Sequence, residues 1–340
     1  MKQNNIIKAP ADDCVVTYRG GIVENRHQVH AAIVDANGNI LYTVGDPSRV
    51  TLIRSAAKPA QALAILETGA FNHFDFDDAD MALMCASHNS ENVHISRAQS
   101  MLAKIQAKDA DLRCGGHAAI SDVVNKSWIK AGYTPTGADV SDYHLPENPM
   151  QLLVKSIVKD LANLKEDEVK WAIDGCNLPA PAIPLYSLAQ MYGTVAAAAD
   201  LDEDNNSQQR RQNLARIFYA MTGYPELVGG EGRFCTRLMT TFQGNLVGKI
   251  GADGCYGIGI RASEQTRKLG TGTAIGIAVK IEDGNIPVLY SAVMEILEQL
   301  GIGTQETREK LADLHHPKLL NTAGVEIGLV DSAFNLRAVS

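Results

Sequence analysis

Two alternating apolar runs, residues 29–35 and 40–44, flank an Asn37-Gly38 pair. Asn-Gly suits the left-handed positions of a two-residue hairpin turn, so the runs read as paired antiparallel strands. A chain that opens this way does not open with a βαβ unit, which needs a helical crossover between its strands. Upstream, residues 14–18 are strand-like, and Arg19-Gly20-Gly21-Ile22-Val23-Glu24-Asn25 reads as a tight polar turn with a charged pair. A third β-type run, residues 50–53, ends where the first helical run begins.

β-type runs return far downstream, at residues 246–250, 255–261, 274–281 and 325–330. The first two flank the turn Gly251-Ala252-Asp253-Gly254. The stretch between is mostly helical in periodicity: residues 77–84, 93–107, 123–130, 150–164, 185–198, 208–221 and 233–241. Pro179, Pro181 and Pro184 keep the segment after residue 178 extended. We therefore expect an α+β fold, with one antiparallel sheet flanked by helices and a helical subdomain. The sheet is expected from about 14–54 and 246–330, the helical middle from about 55–245, all within a single unit over 1–340.

The 340 residues carry a formal charge of −8, which argues against a nucleic-acid partner. Six scattered cysteines are too few for a disulfide scaffold and fit a reducing compartment. The first thirteen residues lack the charged start and apolar run of a signal peptide, and no apolar stretch is long enough to span a bilayer. A cytoplasmic protein without membrane partners is the expectation.

The chemistry concentrates at Arg54-Ser55-Ala56-Ala57-Lys58-Pro59-Ala60-Gln61. On a helical turn, positions three apart share a face, so Lys58 can stand beside the Ser55 hydroxyl as its base. Ser-x-x-Lys is the signature of serine β-lactamase-type acyl transfer. The spacing alone is weak, because Ser127–Lys130 and Ser156–Lys159 repeat it inside helices. Only Ser55 sits at a strand-to-helix transition, where a helix N-terminus favours negative charge. The competing reading makes Ser55 a helix cap and Lys58 a solvated first-turn residue. Two further elements of the signature follow in order. Ser87-His88-Asn89 matches Ser-x-Asn, while Lys249-Ile250-Gly251 and Lys268-Leu269-Gly270 both match Lys-x-Gly. Arg54, Glu24 and Asp174 are charges at loops or strand ends that suit a zwitterionic substrate, or equally form ordinary salt bridges. Cys85-x-x-His88 and Cys114-x-x-His117 have ligand types suited to zinc, or are a buried small residue and polar loop residues.

Taken together, these stretches resemble one family closely. The Arg19–Asn25 turn, the Arg54–Gln61 segment, Cys85-Ala86-Ser87-His88, Cys114-Gly115-Gly116-His117, Asp174-Gly175-Cys176-Asn177-Leu178-Pro179 and Gly248-Lys249-Ile250-Gly251-Ala252-Asp253 are similar to those of the Rhizobium-type L-asparaginases. The resemblance runs from about Arg19 to beyond Asn321. It implies a serine β-lactamase/glutaminase-like fold and hydrolysis of L-asparagine to aspartate and ammonia, in a homodimer. It also implies two Ser-Lys pairs, Ser55 with Lys58 and Ser87 with Lys249, which selects Lys249 over Lys268. Arg54, Asp174 and Cys176 fall on further site positions. Those enzymes bind zinc through a Cys-Ser-x-Cys-Ser-Gly-Lys-His stretch beside the Cys176 position. Here only Gly137-Ala138-Asp139-Val140-Ser141-Asp142 links Thr136 to Tyr143, without those ligands. The zinc site is therefore expected not to form at Cys176, no cofactor is expected for the chemistry, and the shortened loop is expected to widen access. Other amides, such as glutamine or a β-lactam-like substrate, and a weakly active family member are the alternatives.

Overall fold

The computed structural model describes residues 12–112, 119–132, 142–200 and 209–339. It confirms a mixed α+β architecture with an antiparallel sheet and a mostly helical middle. Among the described residues the strands are β1 (Cys14–Arg19), β2 (Ile22–Asp35), β3 (Ile40–Val44), β4 (Val50–Leu52), β5 (Lys170–Ile173) and β6 (Pro179–Pro184). The rest are β7 (Leu246–Gly251), β8 (Cys255–Ile260), β9 (Ile275–Ile281), β10 (Lys318–Leu320), β11 (Glu326–Ala333) and β12 (Arg337–Ala338). Contacts divide the chain into two compact units, one of residues 1–51, 184–197 and 248–340 and one of residues 52–183 and 198–247.

The first unit is built on the sheet β10-β11-β1-β2-β9-β8-β7, with β3 and β12 branching from β2. Glycines with positive φ mark both hairpin turns, Gly20 and Gly21 in the first and Gly38, at +94°, in the second. Gly20 and Gly21 take φ values of +57° and +84° between β1 and β2, where side chains other than glycine's are disfavoured. Between β2 and β3, Asp35 fixes the turn. Its Oδ1 accepts from the N–H groups of Asn37 and Asn39, both at 2.9 Å. The register then pairs Ala31 with Val44 and Ile33 with Tyr42.

Every residue of β7, β8 and β9 is buried, so this part of the sheet is covered on both faces. One cover is the Leu185–Ala198 helix, whose approach depends on glycine. A Cβ on Gly276 would lie 1.7 Å from the Ala189 carbonyl oxygen, and one on Gly257 would lie 2.2 Å from the Tyr192 ring. The Ile286–Gln299 helix packs on β9, β1 and β11 with an apolar face that includes Val288, Leu289, Val293 and Leu297.

The second unit centres on the Lys58–Glu67 helix, which buries Pro59, Ala60, Ala62, Leu63 and Ala64. Small side chains let the Pro149–Leu161 and Gln209–Gly223 helices pack closely against it. Arg210 clips the three together, reaching Glu67 at 2.5 Å and Asp160 at 3.0 Å. The Asp78–Met84 helix begins in a capping box between Asp77 and Asp80. Asp80 is 1% exposed and also meets Arg97 at 2.7 Å and Lys104 at 2.8 Å. β5 and β6 pair antiparallel, so the proline-rich segment is extended because it is an actual strand.

Candidate active site

Ser55 lies on the path from β4 into the central helix of the second unit. Ile53 is fully buried, and its N–H donates to the Pro181 carbonyl at 3.0 Å, which pins this path beside β6. Arg54 then adopts a φ of +50°. That left-handed geometry is unfavourable for a residue with a Cβ and concentrates at functional sites. A short 3₁₀ turn, Arg54–Ala57, feeds the Lys58–Glu67 helix, and the Lys58 N–H donates to the Ser55 carbonyl. The cap positions are Ile53 and Ala57, with no side-chain cap bond at either. Helix capping therefore does not account for Ser55. Lys58 itself takes regular α geometry, with φ −57° and ψ −36°, against the bias that Pro59 places on the residue before it, so the irregularity of the helix start lies at Arg54.

Ser87 follows the Asp78–Met84 helix, after the buried pair Cys85 and Ala86. The Lys58 ammonium group donates to the Ala86 carbonyl oxygen, which joins the first motif to the residue before Ser87. Ser55, Lys58 and Ser87 are all half-buried.

A strap from a distant part of the sequence holds the Ser87 loop. The Ser87 N–H donates to the Val228 carbonyl at 3.0 Å. Asn89 is 4% exposed, and its amide N–H₂ donates to Glu91 Oε1 at 2.7 Å and to the Glu231 carbonyl at 3.1 Å. Glu91 Oε1 also accepts from the Glu231 N–H at 3.0 Å. Gly230 has a φ of +106°, and a Cβ there would sit 2.5 Å from Asn89 Nδ2. His94 is fully buried. Its Nδ1 accepts from the Glu91 N–H at 3.1 Å, which leaves Nε2 to donate to the Glu226 carbonyl at 3.0 Å. The His88 ring stacks on His94 with centroids 4.6 Å apart. Sequence reading found Ser87 and missed Glu91, Glu226 and Glu231. The signal available was the Gly229-Gly230-Glu231-Gly232 run, which marks a close backbone approach.

Arg54 meets the second recognised turn. Its guanidinium lies 3.6 Å from where a Gly175 Cβ would be, an ordinary van der Waals distance, so Arg54 and this turn are neighbours. In that turn Asp174 Oδ1 accepts from the N–H groups of Cys176 at 2.8 Å and Leu178 at 3.1 Å. Asn177 takes the left-handed φ of +62°. One carboxylate oxygen of Asp174 thus shapes the loop that displays Cys176, an exposed thiol.

Lys249 belongs to the first unit, on β7 two residues after the chain leaves the second unit. It is fully buried, and its Nζ donates to the Ile250 carbonyl at 2.9 Å. Lys268, the competing match, is exposed and pairs with Glu264 at 3.5 Å. Glu24 is on the exposed part of β2, in an ion pair with Arg19 at 2.7 Å that holds its carboxyl below the usual range. That is the salt-bridge alternative considered for it. Of the repeated Ser-x-x-Lys matches, Ser127 is exposed and its Oγ donates to the Val124 carbonyl at 2.7 Å, while Ser156 is on the exposed side of the Pro149–Leu161 helix.

Among the described residues, no three His, Cys, Asp or Glu side chains gather so as to hold a metal ion. Cys85 is buried, and His88 Nδ1 accepts from the Ser90 N–H at 3.0 Å. Cys114, His117 and residues 137–141 of the shortened loop lie outside the described residues. No described helix is long and apolar enough to cross a membrane.

Comparison with known proteins bears on this geometry. No curated protein sequence matches the chain. Among solved structures, the Bacillus subtilis glutaminase YbgJ, captured as a covalent complex with 5-oxo-L-norleucine, is 12% identical. That alignment covers 80% of this chain and 87% of the glutaminase, with a TM-score of 0.36. A probable glutaminase, ybaS, is 19% identical over 76% of this chain and 80% of its own, with a TM-score of 0.30. Likeness at these TM-scores carries no inference about chemistry. The sequence model of the family described as L-asparaginase II is different in kind, because it matches residues 15–138 and 134–332. Its two segments overlap at 134–138, where the short stretch 137–142 that lacks the cysteines and lysine of the resembling enzymes begins. With nearly the whole chain matched, including every segment that carries a candidate site residue, this amidohydrolase belongs to the L-asparaginase II family.

Proposed function

We propose that the chain hydrolyses the side-chain amide of L-asparagine to L-aspartate and ammonia through a serine acyl-enzyme. The reading is carried by one observation: Lys58 stands one helical turn after Ser55 and donates to the Ala86 carbonyl, beside Ser87. Ser55 Oγ attacks the amide carbon while neutral Lys58 takes its proton. The tetrahedral intermediate collapses as the C–N bond breaks, and the departing nitrogen receives a proton and leaves as ammonia. Water then cleaves the ester and restores the Ser55 hydroxyl. Ser87 and Lys249 are the further groups assigned to the leaving group. Arg54 and Asp174 hold the charged ends of the substrate. The active species is a cytoplasmic homodimer, which sedimentation of the purified protein tests.

Zinc is proposed to be dispensable. Cys176 is exposed on a turn whose Asp174 carboxylate faces inward to two backbone N–H groups, so the described residues do not fit a metal at that cysteine.

The deciding experiment is ammonia release from L-asparagine and L-glutamine by the wild type and by Ser55→Ala. Asparagine turnover lost in the variant supports the reading, and a variant with full rate overturns it. Glutamine is one methylene longer, which a fitted pocket discriminates by about 10- to 200-fold. A preference for glutamine would reassign the substrate and leave the serine mechanism in place.

A further inference from the structure

We infer that Glu91 is a positioning residue for Ser87, acting through a strap formed by residues 228–231; this rests on the reading of Ser87 as part of the active site. A single carboxylate oxygen joins the two loops, because Glu91 Oε1 accepts from both Asn89 Nδ2 and the Glu231 N–H. Asn89 Nδ2 in turn donates to the Glu231 carbonyl, so the three groups close a ring of hydrogen bonds. The orientation of the Asn89 amide is fixed, since both of its neighbours here are acceptors. Its Oδ1 is left buried with no hydrogen-bond partner among the described residues. Leaving a buried acceptor unpaired is unfavourable, so the ring is retained against a local cost. The ring sits two residues from Ser87, whose own N–H is held by Val228, three residues before Glu231. Ser87 is thereby fixed at its own backbone and again through Asn89, both times to the same strap. Gly230 belongs to the device, because only a residue without a Cβ leaves room for the Asn89 side chain.

Glu91 acts here as an acceptor of two N–H bonds and not as a charge. Glu91→Gln keeps an acceptor oxygen at that place, whereas Glu91→Ala removes it. A displacement near 1 Å of a catalytic group can cost about 100-fold in rate. The test measures kcat, KM and melting temperature of the full chain with L-asparagine for the wild type, Glu91→Ala, Glu91→Gln, Asn89→Asp and Ser87→Ala. The inference expects kcat to fall by about 30- to 100-fold in Glu91→Ala, with KM within about 3-fold of wild type. Glu91→Gln is expected to keep kcat within about 3-fold. Asn89→Asp is isosteric but sets a carboxylate against Glu91 and the Glu231 carbonyl, and its kcat is expected to fall with that of Glu91→Ala. If Glu91→Ala does not fold, Asn89→Asp against wild type decides. An unchanged kcat in either, a loss confined to KM, or a Glu91→Gln variant as impaired as Glu91→Ala overturns the inference. Ser87→Ala separates the two levels. If it keeps full rate, the reading of Ser87 fails; if it is inactive while Glu91→Ala is fully active, only the positioning role fails.

Discussion

The Lys58 side chain donates to the carbonyl oxygen of Ala86, so the amine of the first motif holds the residue that precedes the serine of the second. An amine in this place can do two different things. It can tether the Ser87 loop as a cation, or it can take a proton from Ser55 as a neutral base.

The two roles separate on substitution. Arginine keeps a donor and a positive charge but cannot act as a neutral base. Lys58→Arg is therefore expected to fold normally and to lose at least about 1,000-fold in kcat for asparagine. A Lys58→Arg variant within tenfold of wild type would limit Lys58 to tethering. Ammonia release at saturating substrate, together with the melting temperature, makes the measurement.

Arg54 offers a similar separation between stability and function. Its φ of +50° suits glycine, which adopts that geometry without steric cost. Arg54→Gly is expected to change stability by no more than about 1 kcal/mol, because relief of the left-handed conformation offsets the added freedom of the unfolded chain. The guanidinium beside Gly175 is lost, and KM for asparagine is expected to rise at least tenfold. A thermal unfolding curve and a substrate titration on one preparation test both halves. A variant with unchanged KM would remove Arg54 from the substrate's binding site.

Asp80 ties stability to pH. Burial alone would raise its carboxyl pKa, but bonds from Lys104, the Asp77 N–H and Arg97 more than offset this and hold it below the usual range. The folded pKa therefore lies below the unfolded one, which is about 3.9. The stabilisation is complete above that unfolded value and is lost as pH falls through it towards the folded pKa. Asp80→Asn is expected to cost about 3 kcal/mol at pH 7, by removing the buried anion from Lys104 and leaving Arg97 with Asp77 alone. It should also flatten the loss of stability that sets in below about pH 4. Urea unfolding of both proteins across that range provides the check. Parallel acid limbs would show that Asp80 is not the group responsible.

How much of this was legible in the sequence depended on the distance over which the residues interact. The Asn37-Gly38 hairpin and the Ser55–Lys58 spacing are local, and both could be read directly. The helical run from residue 77 was likewise legible, and it begins in a capping box. The strand order was not legible, since nothing local says that β1 pairs with β11 or β2 with β9. The buried role of Asp80 was hidden for the same reason, because its partners lie 17 and 24 residues away. The ring at Glu91 is the extreme case, joining residues about 140 positions apart. Glycine was the one trace it left, at Gly230. The glycines of β8 and β9 carried a comparable message about the Leu185–Ala198 helix.

That message gives a direct test of the sheet unit. The Gly276 Cα faces the backbone of the Leu185–Ala198 helix, and an added Cβ would stand 1.7 Å from the Ala189 carbonyl oxygen and 2.6 Å from the Gly193 nitrogen. Both obstacles are main chain, so no rotamer change relieves them. Overpacking of a core that can adjust costs about 1–3 kcal/mol, and this contact can ease only by shifting a helix or a central strand. Gly276→Ala is therefore expected to lose at least about 3 kcal/mol, or to accumulate as insoluble protein. Gly244→Ala serves as the comparison. A Cβ there meets nothing within 4 Å, so its cost comes only from a left-handed φ of +79°. That penalty is about 1–2 kcal/mol. Denaturant midpoints of the two variants should differ clearly, with Gly276→Ala the less stable. Equal midpoints would mean that the Leu185–Ala198 helix does not pack on β9 as closely as this geometry requires.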